Sequence, residues 1–175
     1  MIKTIAIVLA LLIAAILIYA ATKPDSFHIE RGTAIKAPPE KIFALINDFK
    51  QWEAWSPWEK IDPALKRSYG GAASGVGAIY EWSGNKDIGQ GRMEIVEASP
   101  SSKILLNLDF VTPFEAHNVV EFLLSADGDS TTVTQAMYGP SPYISKLMTI
   151  FFSMEKMVGD KYKEGLNNLK KLAEK

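Results

Sequence analysis

Apolar and polar positions alternate along most of the middle of the chain, as they do in a β-strand with one buried face. The clearest case is the run ILLNLDF, which sets Ile104, Leu106, Leu108 and Phe110 against Asn107 and Asp109. Similar runs are bounded by Gly, Pro, Asn and Asp turn signals, and together they predict seven strands. These are Phe27–Lys36, Lys66–Tyr69, Val76–Trp82, Ile88–Glu97, Ile104–Thr112, Ala116–Ser125 and Thr131–Tyr138.

Two other parts of the chain have a helical period. Pro38-Pro39 stops the first strand and sets the first turn of a short helix, and a second short helix ends at Ser56-Pro57. Near the end of the chain, apolar residues recur every three or four positions, which predicts one long helix over Tyr143–Lys175. Its stripe consists of Leu147, Phe151, Met154, Val158, Tyr162, Leu166, Leu169 and Leu172.

The predicted order of elements is one strand, two short helices, six strands and a long helix. An antiparallel sheet of this size must cover its apolar face, and the long helix carries a stripe of the right length. We therefore predict an α+β fold in which a curved antiparallel sheet of about seven strands wraps around the C-terminal helix. The two short helices close one end and leave an elongated apolar cavity.

A different pattern occupies the N-terminus. The segment Thr4–Thr22 carries no charge and is bracketed by Lys3 and Lys23. Nineteen residues at ~1.5 Å each nearly match the ~30 Å hydrocarbon core of a bilayer. A cleaved signal peptide would need small residues three and one positions before the cut, and Ile18 or Tyr19 would stand at the first of these. We therefore expect an uncleaved single-pass anchor.

We therefore predict an anchor at residues 1–23, a linker at 24–26 and one domain at 27–175. We expect a membrane location, such as a bacterial inner membrane. The count of Lys and Arg alone would keep the domain in the cytoplasm. A tail of three residues is nevertheless short enough to cross the membrane, so the pattern does not decide on which side the domain lies.

Composition narrows the chemistry. The net charge of −1 favours no nucleic-acid partner. The chain has no cysteine, which excludes disulfides, thiolate metal sites and a cysteine nucleophile. Its two histidines, His28 and His117, make a multi-histidine metal site unexpected. We therefore predict no metal and no cofactor.

The segment Ala37–Glu59 contains three of the four tryptophans, and these three fall within a stretch of only seven residues. In this segment and in others, the chain resembles the START-like helix-grip superfamily, specifically its polyketide cyclase/dehydrase (SRPBCC) branch. The stretches that carry the resemblance span Phe27 to Glu174 and are APPEKIFALINDFKQWEAWSPWEKIDPALKRSY, GVGAIYEWSGNKDIGQGRMEI, LDFVTPFEAHNVVEF and MVGDKYKEGLNNLKKLAE.

The resemblance implies a helix-grip fold with a hydrophobic cavity between the sheet and the long helix. It leaves the activity open, because the superfamily includes cyclases, lipid carriers and hormone receptors. No catalytic motif of the true polyketide cyclases matches this chain residue by residue. We therefore expect a membrane-anchored domain that binds a lipid or other hydrophobic small molecule. A cyclase or dehydratase-type enzyme and an assembly protein without a ligand are the alternatives.

His117 is the one candidate for acid–base catalysis, because its pKa lies near neutrality. Its orientation depends on the turn at Pro113. A loop of odd length there pairs Phe110 with Asn118 and turns His117 to solvent, whereas a loop of even length reverses this. The first register brings apolar residues of the two strands together, so it argues against a catalytic His117.

The remaining candidates are ligand contacts. Buried amides need partners and can orient a ligand, methionines suit an adaptable pocket, and large aromatic side chains suit a cavity mouth. Simple packing in the core explains each of them equally well. The predicted ligand-binding residues are Trp55, Trp58, Trp82, Met93, Phe110, Asn118, Gln135 and Met154.

Overall fold

Seven strands form a single antiparallel sheet in a computed structural model that describes residues 1–175. The strands are β1 (Ser26–Ile35), β2 (Lys66–Gly71), β3 (Ala78–Ser83), β4 (Gln90–Ser99), β5 (Lys103–Thr112), β6 (Ala116–Asp127) and β7 (Ser130–Pro140). Their order across the sheet is β1-β7-β6-β5-β4-β3-β2, so only β1 lies out of sequence order.

The helices sit where the chain enters and leaves this sheet. They are α1 (Ile2–Ala21), α2 (Pro39–Asn47), α3 (Trp52–Trp55), α4 (Tyr143–Phe151) and α5 (Met154–Ala173). α2 and α3 form the predicted pair of short helices between β1 and β2. A 3₁₀ turn at Phe49–Gln51 joins them, and a second one at Pro57–Lys60 follows α3. This arrangement is a helix-grip fold, as the pattern of the sequence predicts.

The core lies between α5 and the concave face of the sheet. Tyr162, Leu166 and Leu169 of α5 are fully or almost fully buried, as are Phe122 and Ile104 of the sheet. α5 packs closely against β1 and α3 and makes few contacts with the middle strands. α5 therefore covers the apolar face of the sheet near β1. The same face farther from β1 must be covered by other elements.

The C-terminal helix differs from the prediction in one respect, because it is broken. Phe152 has an extended backbone, and Ser153 begins a new helix by accepting a hydrogen bond at Oγ from the N–H of Lys156. The long helix therefore starts at Met154 and not at Tyr143. The apolar stripe continues across the break, which is why the pattern alone does not reveal it.

The pairing of β5 with β6 confirms the predicted orientation of His117, although the observed register differs from the predicted one by two residues. Phe110 pairs with Ala116, and Asn118 pairs with Leu108. Because side chains alternate with a period of two, this shift leaves Asn118 inward and His117 outward. The side chain of His117 is 79% exposed.

α4 lies beside the end of α1. Tyr143 Oη donates a hydrogen bond to the carbonyl of Leu17 at 2.9 Å. Lys23 Nζ donates to Thr149 Oγ1 at 3.2 Å. Lys146 donates from its ammonium to the carboxylate of Asp25 and holds the pKa of that carboxyl below its usual value. α4 therefore packs on the N-terminal helix and not on the sheet.

Replacing Ser153 by Ala tests whether the break between α4 and α5 is built into the chain. The change removes a helix cap, so we expect the free energy of unfolding to fall by about 1 kcal/mol. Ser153→Asp keeps a capping oxygen and serves as the control. Urea unfolding of the full chain in detergent micelles measures both. An alanine variant as stable as the wild type would show that a continuous helix is equally favourable.

Candidate functional site

A cavity of about 280 Å³ lies between α5, the tryptophan-rich segment and strands β3 to β7. Most of its wall is apolar. It reaches the surface between two connections of the sheet, where Lys86, Asp87, Thr112 and Pro113 line it and are exposed. The cavity is therefore enclosed on the side of the tryptophans and open at the ends of β3 and β5.

The tryptophans of α3 are fixed to the elements around them. Trp52 Nε1 donates to the carbonyl of Ile46 at 2.8 Å, and Trp55 Nε1 donates to that of Leu45 at 3.1 Å. Both rings meet Phe122 of the sheet edge-on. Each N–H therefore has a partner despite its burial, and α3 is held between α2 and the sheet. Trp58, on the following 3₁₀ turn, is only half-buried.

A row of aromatic rings forms the wall across the middle strands. Trp82 lies 6.1 Å from Tyr80 and 5.8 Å from Phe110, measured between ring centroids. Its indole lies directly over Gly91 on the neighbouring strand. A Cβ at Gly91 would come within 2.4 Å of that indole. The glycine is therefore required for the ring to lie flat against the sheet at this point.

Glu59 is the one charged residue of the cavity wall that is buried, with 7% of its surface exposed. Tyr80 Oη donates to its Oε1 at 2.6 Å, and Arg67 Nε donates to its Oε2 at 2.6 Å. Burial, reinforced by the neighbouring carboxylate, raises the pKa of Tyr80 far above its usual value. Both carboxylate oxygens of Glu59 are thus engaged, and Tyr80 acts as a neutral donor.

A second polar pair faces the cavity from opposite sides. Gln135 of β7 and Tyr162 of α5 both line it, and each is about 5% exposed or less. Burial raises the pKa of Tyr162, and the neighbouring amide of Gln135 opposes this rise. The amide of Gln135 and the phenol of Tyr162 are therefore polar groups in a wall that is otherwise mainly apolar.

The structure brings six of the eight predicted ligand contacts together on the cavity wall: Trp55, Trp58, Trp82, Met93, Phe110 and Gln135. Two lie elsewhere. Asn118 is buried against β7, where Gly139 leaves room for its amide, and a Cβ at that glycine would come within 2.5 Å of Asn118 Oδ1. Met154 packs against the core at the start of α5. Contact of the six with a ligand remains a prediction.

His117 lies on the outer face of the sheet, away from the cavity. Its Nδ1 is 2.7 Å from Asp109 Oδ1, and this carboxylate raises the pKa of the imidazole. The pair is in contact with water, since most of the His117 side chain is exposed. No group of three or more His, Asp or Glu side chains is placed to share a metal ion.

Sequence reasoning missed Glu59, Arg67 and Tyr80. Tyr80 falls on the inward face of a predicted strand, and Glu59 directly follows Trp58, so their positions carried some signal. What joins them is the approach of the Pro57–Lys60 turn to β2 and β3, and that approach is a tertiary feature.

The sheet, the long helix and the apolar cavity between them define a helix-grip protein. The family model "Polyketide cyclase / dehydrase and lipid transport" matches residues 26–174. The chain therefore belongs to this family. No curated protein is significantly similar in sequence.

Solved structures share the fold at low sequence identity. Protein CV1439 from Chromobacterium violaceum is 14% identical, with a TM-score of 0.60 over 87% of this chain and 99% of that one. Protein MLL2253 from Mesorhizobium loti is 18% identical, with a TM-score of 0.59 over 84% and 95% of the two chains. The Aha1 dimer from Colwellia psychrerythraea is 16% identical, with a TM-score of 0.57 over 85% and 96%.

Replacing Tyr80 by Phe tests the polar group on the wall. The change leaves Glu59 Oε1 buried without its donor, so we expect the free energy of unfolding to fall by about 1–3 kcal/mol. Tyr69→Phe is the matched control, because Tyr69 lies directly opposite on β2 but is 41% exposed. Urea unfolding of both variants gives the difference. Equal stabilities would show that the Tyr80–Glu59 contact contributes nothing.

Proposed function

We propose that the protein is a membrane-tethered binding domain for a lipid or another hydrophobic small molecule. The observation that carries this proposal is the cavity of about 280 Å³, near the lower end of the range for small-molecule sites. It would stabilise an apolar ligand by removing its surface from water, at roughly 25 cal/mol for each Å² buried.

The wall of the cavity supports binding by desolvation combined with a few orienting contacts. Trp82, Phe110 and Met93 offer apolar and polarisable surface. Gln135 and Tyr162 face the same space and offer an amide and a phenol to a polar end of the ligand. An elongated molecule with one hydrogen-bonding group fits this distribution.

α1 supports the tether. It is 20 residues long, and an 18-residue stretch of it has a mean hydropathy of 2.8 with only 6% of its residues buried within the protein. A helix of that length and composition can cross a membrane, although a signal sequence has the same character. We propose that it is retained as a single-pass anchor, which would keep the cavity beside the bilayer, where apolar ligands are found.

An enzyme of the cyclase or dehydratase type is the second candidate, favoured by the carboxylate of Glu59 on the cavity wall. Proton transfer would require one oxygen of that carboxylate to be free to exchange a proton with a ligand. Tyr80 and Arg67 occupy both oxygens. The same contacts fix the Pro57–Lys60 turn to the sheet, so Glu59 supports the wall in the binding proposal.

Filling the cavity tests the binding proposal. Leu108 lines the cavity on β5, and Leu108→Trp would project a larger, rigid indole into it. We expect native mass spectrometry of the wild type, extracted in mild detergent, to reveal a co-purified apolar molecule. We expect Leu108→Trp to retain at least tenfold less of this molecule, because the indole would intrude on the space that the molecule occupies.

The matched control is Leu123→Trp, since Leu123 lies on β6 and is 43% exposed. It should retain the molecule as the wild type does. Circular dichroism confirms that both variants are folded. A wild type that carries no molecule, or a Leu108→Trp variant that carries as much as the control, would contradict the proposal.

The state of the N-terminus tests the tether. We expect the mature protein to keep α1 and to require detergent, rather than high salt, for release from the membrane fraction. Intact mass measurement gives the first result and fractionation the second. A mature chain that begins after Ala21 and is released without detergent would show that α1 is a signal sequence.

A further inference from the structure

We propose that the end of the sheet next to α1 is a bilayer-docking surface, and that it opens the cavity directly towards the membrane. This inference deepens the proposed function and rests on its anchor and its apolar ligand. It concerns side chains that neither the anchor nor the cavity wall explains.

The antiparallel order of strands places the mouth of the cavity at the same end as α1. β1 begins beside the end of β7, with Ser26 opposite Pro140. β5 ends and β6 begins at this end, and so do β3 and β4. The exposed residues of the cavity wall come from these two connections, as Lys86 does, or from the end of β5, as Thr112 does. The cavity therefore opens at the end from which α1 departs.

Exposed apolar side chains are concentrated at the same place. Twelve large apolar residues that follow α1 in the chain are exposed, and eight of them lie at the end of β5, in the β5–β6 connection, in α4, directly after α4 or in the first turn of α5. We call these eight the apolar rim. They are Val111, Phe114, Tyr143, Ile144, Met148, Phe151, Phe152 and Met157. Phe114, Phe151 and Phe152 are 59–65% exposed, which is costly for a surface that stays in water.

The contact between α4 and α1 sets the depth of this rim. Tyr143 bonds to the backbone of Leu17, four residues before the end of α1. At ~1.5 Å per residue, that point lies ~6 Å inside the end of the span. Helices that lie in the membrane interface are buried ~5–10 Å into the boundary between headgroups and acyl chains. The start of α4 is therefore held at the depth of the membrane interface, and Thr149, which accepts a hydrogen bond from Lys23, lies level with the end of the span.

The polar groups of α4 and the linker agree with this placement. Tyr143 and Lys23 are residue types that favour the interface, where a polar tip reaches water and the stem stays in lipid. The only charged residue of α4, Lys146, turns away from the rim and is paired with Asp25. The outer side of α4 is thus free of charge.

The linker is too short to let the domain leave the bilayer. Four residues, 22 to 25, separate α1 from β1. Fully extended, they span at most ~14 Å. The cavity mouth and the rim therefore stay near the lipid, and an apolar ligand could pass between bilayer and cavity with little exposure to water.

Site-directed spin labelling tests this inference in the full chain. The protein has no cysteine, so a single nitroxide can be placed at any position. The labelled variants are reconstituted into vesicles of phosphatidylcholine and phosphatidylglycerol at 3:1. We expect labels at Phe114→Cys, Phe152→Cys and Thr112→Cys to be at least fivefold more accessible to oxygen, relative to a water-soluble nickel chelate, than a label at Val96→Cys. Val96 is exposed on β4 and lies away from the rim.

A label at Leu9→Cys, in the middle of α1, separates the inference from the anchor. If Leu9 lies in the bilayer but Phe114 and Phe152 match Val96, the anchor stands and the docking surface is wrong. If those two are in lipid and Thr112 matches Val96, α4 docks but the mouth faces water, which overturns the opening towards the membrane. If Leu9 and the rim labels are all in water, both the anchor and the inference are wrong.

Discussion

The width of the sheet relative to a helix is the constraint on which the rest of the structure depends. Seven strands at ~4.8 Å spacing are ~29 Å across, whereas a helix with its side chains is only ~10–12 Å wide. α5 therefore covers the side of the sheet at β1 and cannot reach β3 and β4. The uncovered apolar face must be filled by other elements or left as a cavity, and this protein does both.

The tryptophan-rich segment fills part of that space and sets the shape of the remainder. Indole N–H donors fix α3 to α2, and the carboxylate of Glu59 fixes the following turn to Arg67 and Tyr80. These contacts join residues of the cavity wall to one another and to the elements around them, so the wall keeps its form without a ligand. A ligand then loses little free energy to reorganisation of the site, which favours binding by shape and desolvation.

The sequence predicts this architecture well because the sheet has one wet face, so alternation reports burial directly. The same period of two explains why the orientation of His117 follows from the pattern, while the pairing of Phe110 is off by two residues. The break at Ser153 is hidden because apolar residues continue through it towards a second surface, that of α1. Glu59, Arg67 and Tyr80 meet only in three dimensions, so no spacing in the sequence reveals them.

The break at Ser153 also has a structural consequence for the whole molecule. A continuous helix from Tyr143 would carry its first three turns away from α1, and the apolar side chains of α4 would extend into solvent. Because α4 is instead tied to Leu17, Lys23 and Asp25, the cavity mouth, the linker and the N-terminal helix keep a defined orientation to one another. Lys146 is central to that orientation: its side chain is 9% exposed, and its ammonium is paired with the exposed carboxylate of Asp25. Movement of α4 away from the linker would break this ion pair and bring the packed stem of Lys146 into water, so both contacts hold α4 in place.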